Sequence, residues 1–503
     1  MTAGAYNFEP EERTVSHHVT SGILNSGLIQ IVKVACQFAS VIILSRILAP
    51  SDFGVIAMVS PVYAFIIIFH DLGLSQATIQ KPGLRHEEVN AFFWLNIGMG
   101  ALLATITVAL SPLIGLYYHD ERVVPLTIAM GMLILVGATG NQHGTILQRR
   151  MQFSSLAMID IAGTVSGLVV SVVTALMLKS YWALYFGMAT SIIVPVSGVW
   201  LLSKWKPSFP RFVPGLFDML KFGAGITSFN LTSFIAGNTD NILIGRTWGD
   251  LELGLYDRAY KLLLFPLQRI IIPLAGTMLP LLSRMRDSDP GQYCTIIQNA
   301  LEQLIFAIWP GIIWAVMSSD MLVPTILGQK WAASAPIFVP LGIASLAQVL
   351  NSCPVWIFVS QARGGDYAKC GVVNAVTSVA AFLIGLPYGA FGVAVAYAAS
   401  EYLRTPLLWW YATRRGPVKA GDIIPVVMPQ VASAIVAAVA LFYFHTIAIG
   451  PDMLLLAIGL LLSYGTFTLT MSLFNEGRKT LGRTAVFAGH FLLHVDPRRR
   501  RQA

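Results

Sequence analysis

The feature that most constrains this chain is a series of apolar stretches, each near the length of one bilayer crossing, that recur from Ile23 to Phe474 with short polar breaks between them. About 20 consecutive apolar residues form a helix that spans the hydrocarbon core. Inside hydrocarbon the backbone must satisfy its own N–H and C=O groups, so such stretches become helices. The alternating segments of about ten residues that build a membrane β-barrel are absent from the sequence. The expected fold is therefore an all-α polytopic membrane protein of about fourteen transmembrane helices. We place them at 22–45, 54–72, 90–112, 123–146, 155–178, 181–203, 219–245, 255–282, 293–317, 332–360, 368–385, 388–411, 423–446 and 451–474. Composition agrees: of 503 residues, 55% are hydrophobic and 12% charged, against about 25% charged in soluble globular chains.

The connections between these segments are short, which leaves no room for a soluble catalytic domain. The four cysteines, Cys36, Cys294, Cys353 and Cys370, are scattered without CxxC spacing and read as small apolar packing residues. No metal signature and no cofactor motif is found; adjacent His17 and His18 do not share a helix face. The polar start of the chain lacks the basic n-region and short apolar core of a cleaved signal, so the first helix is expected to stay. A net charge of +8 raises nucleic acid as a partner, but the placement of the basic residues argues against it.

That placement follows the positive-inside rule. On fourteen alternating spans, one set of loops and the C-terminal tail holds twenty-two Lys and Arg residues, among them Arg149, Arg150, Lys204, Lys206, Arg284, Arg286, Arg414 and Arg415. The opposite loops hold seven: Arg46, Arg122, Lys179, Arg246, Arg258, Lys261 and Lys330. Both termini are thus expected in the cytoplasm. The tail after Phe474 mixes Leu481, Val486, Phe487, Phe491 and Leu492 with basic residues. It fits either an amphipathic helix on an anionic leaflet or a solvated tail.

A shift of 200 residues aligns Arg46-Ile-Leu-Ala-Pro-Ser-Asp-Phe-Gly54 with Arg246-Thr-Trp-Gly-Asp-Leu-Glu-Leu-Gly254. Arg46 meets Arg246, Asp52 meets Glu252 and Gly54 meets Gly254, each segment leaving the first helix of a six-helix set. This spacing suggests two parallel repeats related by an axis along the membrane normal. The expected organisation is a cytoplasmic segment 1–21, an N-lobe 22–203, a cytoplasmic linker 204–218, a C-lobe 219–411, two further helices over 423–474 and a basic cytoplasmic tail 475–503. In the first helix Ser26, Gln30, Lys33, Gln37 and Ser40 form one polar stripe. In the seventh, Asn230, Ser233, Gly237 and Asp240 occupy the matching face. Such a stripe is costly against lipid and is expected to face another helix or a water-filled cavity.

The run NTDNILIGRTWGDLELGLYDRAYKLLLFPLQ resembles the helix 7–8 signature of Wzx-type polysaccharide flippases. SRILAPSDFGVIAMVSPVYAFIIIFHDLGLSQATIQ is similar to the helix 1–2 region of their exopolysaccharide and teichuronic-acid exporter branch. The likeness covers about 20–475 and implies membership of the superfamily that also holds multidrug antiporters and the peptidoglycan-precursor flippase. It implies two six-helix lobes around a central cavity plus two C-terminal helices, in a bacterial cytoplasmic membrane. The implied substrate is a saccharide repeat unit on polyprenyl pyrophosphate, moved from the cytoplasmic to the periplasmic leaflet by alternating access. The implied partners are membrane lipids and the polysaccharide polymerase and chain-length machinery. The competing readings are a multidrug or small-cation antiporter of the same superfamily, a membrane enzyme such as a polymerase or ligase, and a non-transporting scaffold.

Three basic residues fall within spans, Lys33, Arg269 and Arg404, and each is a candidate for binding the anionic head of a substrate. With Gln30, Gln37, Asn230 and Asp240 they form the expected cavity lining. The rival role is an ion pair: Glu401 lies one turn from Arg404, and Asp240 is a partner within reach of Arg269. Asp240, Glu302, Glu401 and Asp71 are the candidates for ion coupling or gating. Together with Asp160, these acids outnumber the three bases, so a cationic cavity is not read from the sequence itself. The topology is testable: with single cysteines at Ser208 and Lys179, impermeant thiol reagents are expected to reach Lys179 from the periplasm and Ser208 only from the cytoplasm. Labelling of both from one side overturns the fourteen-span arrangement.

Overall fold

A computed structural model describes Phe8 and residues 32–70, 74–81, 83–209, 216–286, 288–475, 477–479 and 481–482. Within these ranges the side chains at 77, 80, 216–230, 232, 233, 236, 265, 266 and 269 lie outside the description. The described residues are helical, and no β-strand occurs among them. In order they form α1 (32–47), α2 (Pro50–Ile67), α3 (Leu74–Gln80), α4 (His86–Tyr118), α5 (Val123–Arg149), α6 (Phe153–Leu178) and α7 (Trp182–Ser203). There follow α8 (Leu216–Met285), α9 (Pro290–Met317), α10 (Ser319–Leu327), α11 (Ala335–Ser360), α12 (Gly364–Gly385), α13 (Gly389–Thr413), α14 (Ile424–Ile447) and α15 (Asp452–Ser472). Helix α8 breaks at Gly249, whose φ of 82° and ψ of −170° are open to glycine and strained for other residues. Counting its two halves separately, each of the fourteen expected spans overlaps a described helix; residues 22–31 of the first span and 71–72 of the second lie outside the described residues. The short helices α3 and α10 are additional to the expected set.

Among the described residues, ten helical stretches are long and apolar enough to cross a bilayer, and one of them, Gly364–Thr413, contains both α12 and α13. The chain divides into two compact units, Met1–Asp257 and Arg258–Ala503.

In the first unit, the buried residues of α6 are Ile159, Gly163, Gly167, Ser171 and Ala175, one at every fourth position. This small-residue stripe lets α7 approach until backbones nearly touch. A Cβ on Gly167 would overlap Ser191 Oγ, one on Gly187 would overlap Ser171 Oγ, and one on Gly163 would overlap the Pro195 ring. Helices α4 and α5 pack antiparallel by the same device. A Cβ on Gly100 would strike Ala138 Cβ, and one on Gly131 would lie 3.3 Å from Thr107 Cβ. At the Arg149 end of α5, the buried guanidinium donates to the carbonyls of Thr78 and Lys81, both at 2.7 Å, and so closes the C-terminal end of α3.

In the second unit, Tyr293, Ile297, Leu301, Leu304, Ile308 and Ile312 of α9 anchor a core shared with α11, α14 and α15. Pro310 removes one backbone donor inside α9. Beside it, Ser463 donates to Pro310 O and Tyr464 to Ala307 O, both at 2.7 Å, tying α15 to the altered turn. Helices α12 and α13 form a tight hairpin through Leu386–Tyr388, a 3₁₀ turn, with Gly389 at a φ of 75°. Gly385 and Gly392 face each other so closely that a Cβ on either would overlap the other's carbonyl oxygen.

That hairpin predicts opposite outcomes for two Gly→Ala changes. Gly385→Ala is expected to destabilise by about 1–3 kcal/mol, because the backbone it meets cannot yield. Gly276→Ala, with nothing within 4 Å of the added carbon, is expected to be neutral or stabilising by up to about 1 kcal/mol through helix propensity. Thermal midpoints of the purified protein in detergent check both.

Candidate functional site

Three charged or acidic centres lie on the helices, and each is built by a different logic. On α13, the sequence places Glu401 and Arg404 one turn apart, and the structure pairs them directly. Glu401 is buried, at 4% exposure, and Arg404 is mostly covered, at 11%. The pair is then surrounded: Asn351 of α11 donates to Glu401 Oε2 at 3.1 Å, and Arg404 Nη1 donates to Thr377 Oγ1 of α12 at 3.3 Å. Gln348 of α11 donates to the Tyr397 hydroxyl at 2.9 Å. A buried ion pair needs such extra hydrogen bonds to offset its desolvation. The rival role for Arg404 foreseen in the sequence, pairing with Glu401, is the one it takes. Its polar neighbours on α11 and α12 carry no sequence spacing that would have revealed them.

On α1, Lys33 pairs with Asp160 of α6. This pair differs from the first in its access: Lys33 is 23% exposed and Asp160 55%. The stripe continues from Lys33 to Gln37 and Ser40, both half-buried, and Gln37 has a polar or ring contact of its own. Nothing on α1 predicts the partner, because Asp160 is 127 residues away.

Asp240 is buried on α8. Because the chain turns back at Gly249, Tyr256 returns alongside it and donates to Oδ2 at 2.9 Å, while the Asn241 amide donates to Oδ1 at 2.8 Å. Glu302 is buried on α9 and is not without a partner. Gln30 and Asp71 lie outside the described residues, as do the side chains of Asn230 and Arg269.

The two segments matched by the 200-residue shift meet each other. A Cβ on Gly54 would overlap Asp250 O, and one on Gly254 would overlap Pro50 O. Each glycine thus abuts the residue equivalent to the one its counterpart abuts, since Pro50 and Asp250 are also 200 apart. Both contacts belong to one antiparallel crossing of the two segments. Beside it, Arg122 donates to Asp120 at 3.0 and 2.7 Å and to Asp250 at 2.7 Å. Burial pushes the Asp120 carboxyl up, but the hydrogen bonds and charge of Arg122 outweigh it and hold that carboxyl below the usual range.

With this geometry in hand, the relatives are informative. Residues 43–336 match the model of the family described as polysaccharide biosynthesis protein. The chain belongs to the polysaccharide biosynthesis protein family. It is 27% identical over 297 residues to the teichuronic acid biosynthesis protein TuaB of Bacillus subtilis (strain 168), covering 58% of this chain and 60% of that one. The match therefore spans less than two thirds of the Bacillus relative. Over 397 residues it is 21% identical to the lipopolysaccharide biosynthesis protein WzxC of Escherichia coli (strain K12), covering 78% of this chain and 80% of that one. Its backbone is similar to that of the lipid II flippase MurJ, in an inward closed conformation, with a TM-score of 0.73 at 11% identity. That likeness covers 90% of this chain and 98% of the other.

Within this family member, the sequence-level candidates thus divide. Glu401 and Arg404 come together, Lys33 finds Asp160, and Asp240 is held by Tyr256 and its own helix. Glu401→Gln leaves the Arg404 charge buried beside a neutral amide and is expected to cost roughly 3–5 kcal/mol of stability. The double variant Glu401→Gln with Arg404→Met removes both charges and is expected to recover most of the folded yield. Monodisperse protein recovered per cell, read by fluorescence-detected size exclusion, decides: a double variant no better than the single one overturns the structural role of the pair.

Proposed function

We propose that this polysaccharide biosynthesis family member is a flippase. It moves a polyprenyl-pyrophosphate-linked saccharide repeat unit from the cytoplasmic to the periplasmic leaflet without covalent change. The observation that carries this reading is a double one: a polysaccharide biosynthesis sequence family on a backbone that follows a lipid II flippase over 90% of its length. The protein sits in the bacterial cytoplasmic membrane with both termini inside, and the lobes 22–203 and 219–411 alternate between inward and outward access.

The physical task is to carry a hydrated anionic head through hydrocarbon. Lys33 suits it. Its partner Asp160 is more than half exposed and stays hydrated when the lysine is drawn away. A pyrophosphate offers Lys33 more negative charge than one carboxylate, so the arriving head competes for it. The buried Glu401–Arg404 pair offers no such access, and its role is to hold α11, α12 and α13 together. On this reading the glycine contact between 46–54 and 246–254 closes the periplasmic end, and it opens when the substrate leaves.

Deletion of the gene is expected to abolish polymer and leave lipid-linked repeat units in the inner leaflet; normal polymer with no redundant exporter overturns the reading. Normal polymer with new drug sensitivity replaces it with the antiporter. Export per membrane-inserted molecule is expected to fall strongly in Lys33→Ala, to be partly kept in Lys33→Arg, and not to be restored when Asp160→Asn is added to Lys33→Ala. Wild-type export per molecule in Lys33→Ala, or a loss explained by abundance alone and reversed by Asp160→Asn, removes Lys33 from the substrate path.

A further inference from the structure

Away from these charges, the polar side chains of the first unit with no solvent exposure at all include Asn96 of α4 and Gln142 and His143 of α5. Four of their polar atoms have no hydrogen-bond partner among the described residues: Asn96 Nδ2, Asn96 Oδ1, Gln142 Nε2 and His143 Nε2. Their other atoms are engaged. Gln142 Oε1 accepts from Thr78 at 3.2 Å, and His143 Nδ1 shares a 2.7 Å hydrogen bond with Ser203 of α7.

The helix register brings the four open atoms to one layer. Gly100 and Ala138 oppose each other across α4 and α5. One turn further along each antiparallel helix come Asn96 and Gln142. One turn beyond Asn96 on the same face, the Phe93 ring centroid lies 5.8 Å from that of His143. Aromatic rings wall this layer: Trp200 is 4.0 Å and Trp205 5.1 Å from the His143 ring, centroid to centroid.

We propose that this layer is a closed internal hydration site, in which ordered water bridges Asn96, Gln142 and His143. The donor and acceptor inventory selects the ligand. Two amide nitrogens bring only donors, while Asn96 Oδ1 brings an acceptor and His143 Nε2 either role. A metal cation needs several oxygens, and the Gln142 oxygen is already taken. An anion would bring an unneutralised charge among Phe93, Trp200 and Trp205. Water both gives and takes hydrogen bonds, and it is the usual partner of buried polar groups that the chain leaves open.

Synchrotron hydroxyl-radical footprinting of the full-length protein in nanodiscs tests this, because radiolysis of a trapped water oxidises the side chains beside it. Phe93 and His143 are expected to be oxidised despite their burial. After rapid mixing with H₂¹⁸O they are expected to incorporate the heavy isotope more slowly than Phe209, which is 89% exposed. Substituting both Asn96→Leu and Gln142→Leu is expected to abolish that labelling and leave Phe209 unchanged. Should the double variant fail to fold, Asn96→Ala supplies the second arm, with labelling at His143 expected to rise as the chamber widens. Background-level oxidation of Phe93 and His143 in the wild type overturns the proposal. So does isotope uptake as fast as at Phe209, or labelling unchanged in a folded variant. A thermal midpoint that depends on chloride in the wild type and not in the double variant overturns it in favour of an anion site.

Discussion

A helix in lipid gains little by exchanging acyl chains for apolar side chains, so the force that assembles a water-soluble core is weak here. What remains is close approach, and close approach demands small residues where helices cross. The rest of this structure depends on that constraint. Along α6, glycine, serine and alanine recur every fourth residue and face α7, whose own Gly187 and Ser191 fill the gaps. The same device sets α4 against α5 and closes the α12–α13 hairpin. Large side chains, by contrast, point outward in number: Met177, Leu201, Leu403 and Ile384 are each more than 70% exposed. In water such a surface would aggregate, and in a bilayer it is the solvated face.

The same low dielectric makes charges expensive, and it sorts them by access. The Glu401–Arg404 pair is enclosed and braced by side chains from two other helices. Losing one member strands the other, so the pair behaves as architecture. The Lys33–Asp160 pair is partly open, and on the proposed function, where that opening meets a water-filled cavity, such a pair is worth little to stability because water screens it. A contact of small net value is easily exchanged for a better one. On the proposed function, access more than charge therefore separates a lysine fit to meet an anionic substrate from an arginine fit to fasten helices.

Much of the fold was legible because hydropathy reports the one fact a bilayer enforces, segment length. Over the described residues every expected span overlaps a helix, and the break at Gly249 falls within the expected outer turn. The short helices α3 and α10 escaped because seven or nine residues give no spanning signal. The candidate site was legible only where partners are close in sequence. Glu401 and Arg404 are one turn apart and were paired in advance. Lys33 has no acid one turn away on its own helix, and Asp160 could not be named across four intervening helices. Asn96, Gln142 and His143 carry no signal singly; they matter only because the α4–α5 register aligns them.

The two segments matched near Gly54 and Gly254 also touch each other. Two glycines 200 residues apart each press on the backbone at the other's start, and neither position has room for a side-chain carbon. The latch beside this contact is not symmetric, however: Arg122 reaches Asp250, whereas the equivalent of Asp250 is Pro50, which has no carboxylate to offer. Arg122 is also 44% exposed, so its bridges are partly screened. Backbone contact between glycines buries little apolar area, and one partly solvated arginine adds little more. Such a junction closes with good geometry and small free energy. Under alternating access that combination is required, because a contact that held strongly would trap one state and a loose one would leak.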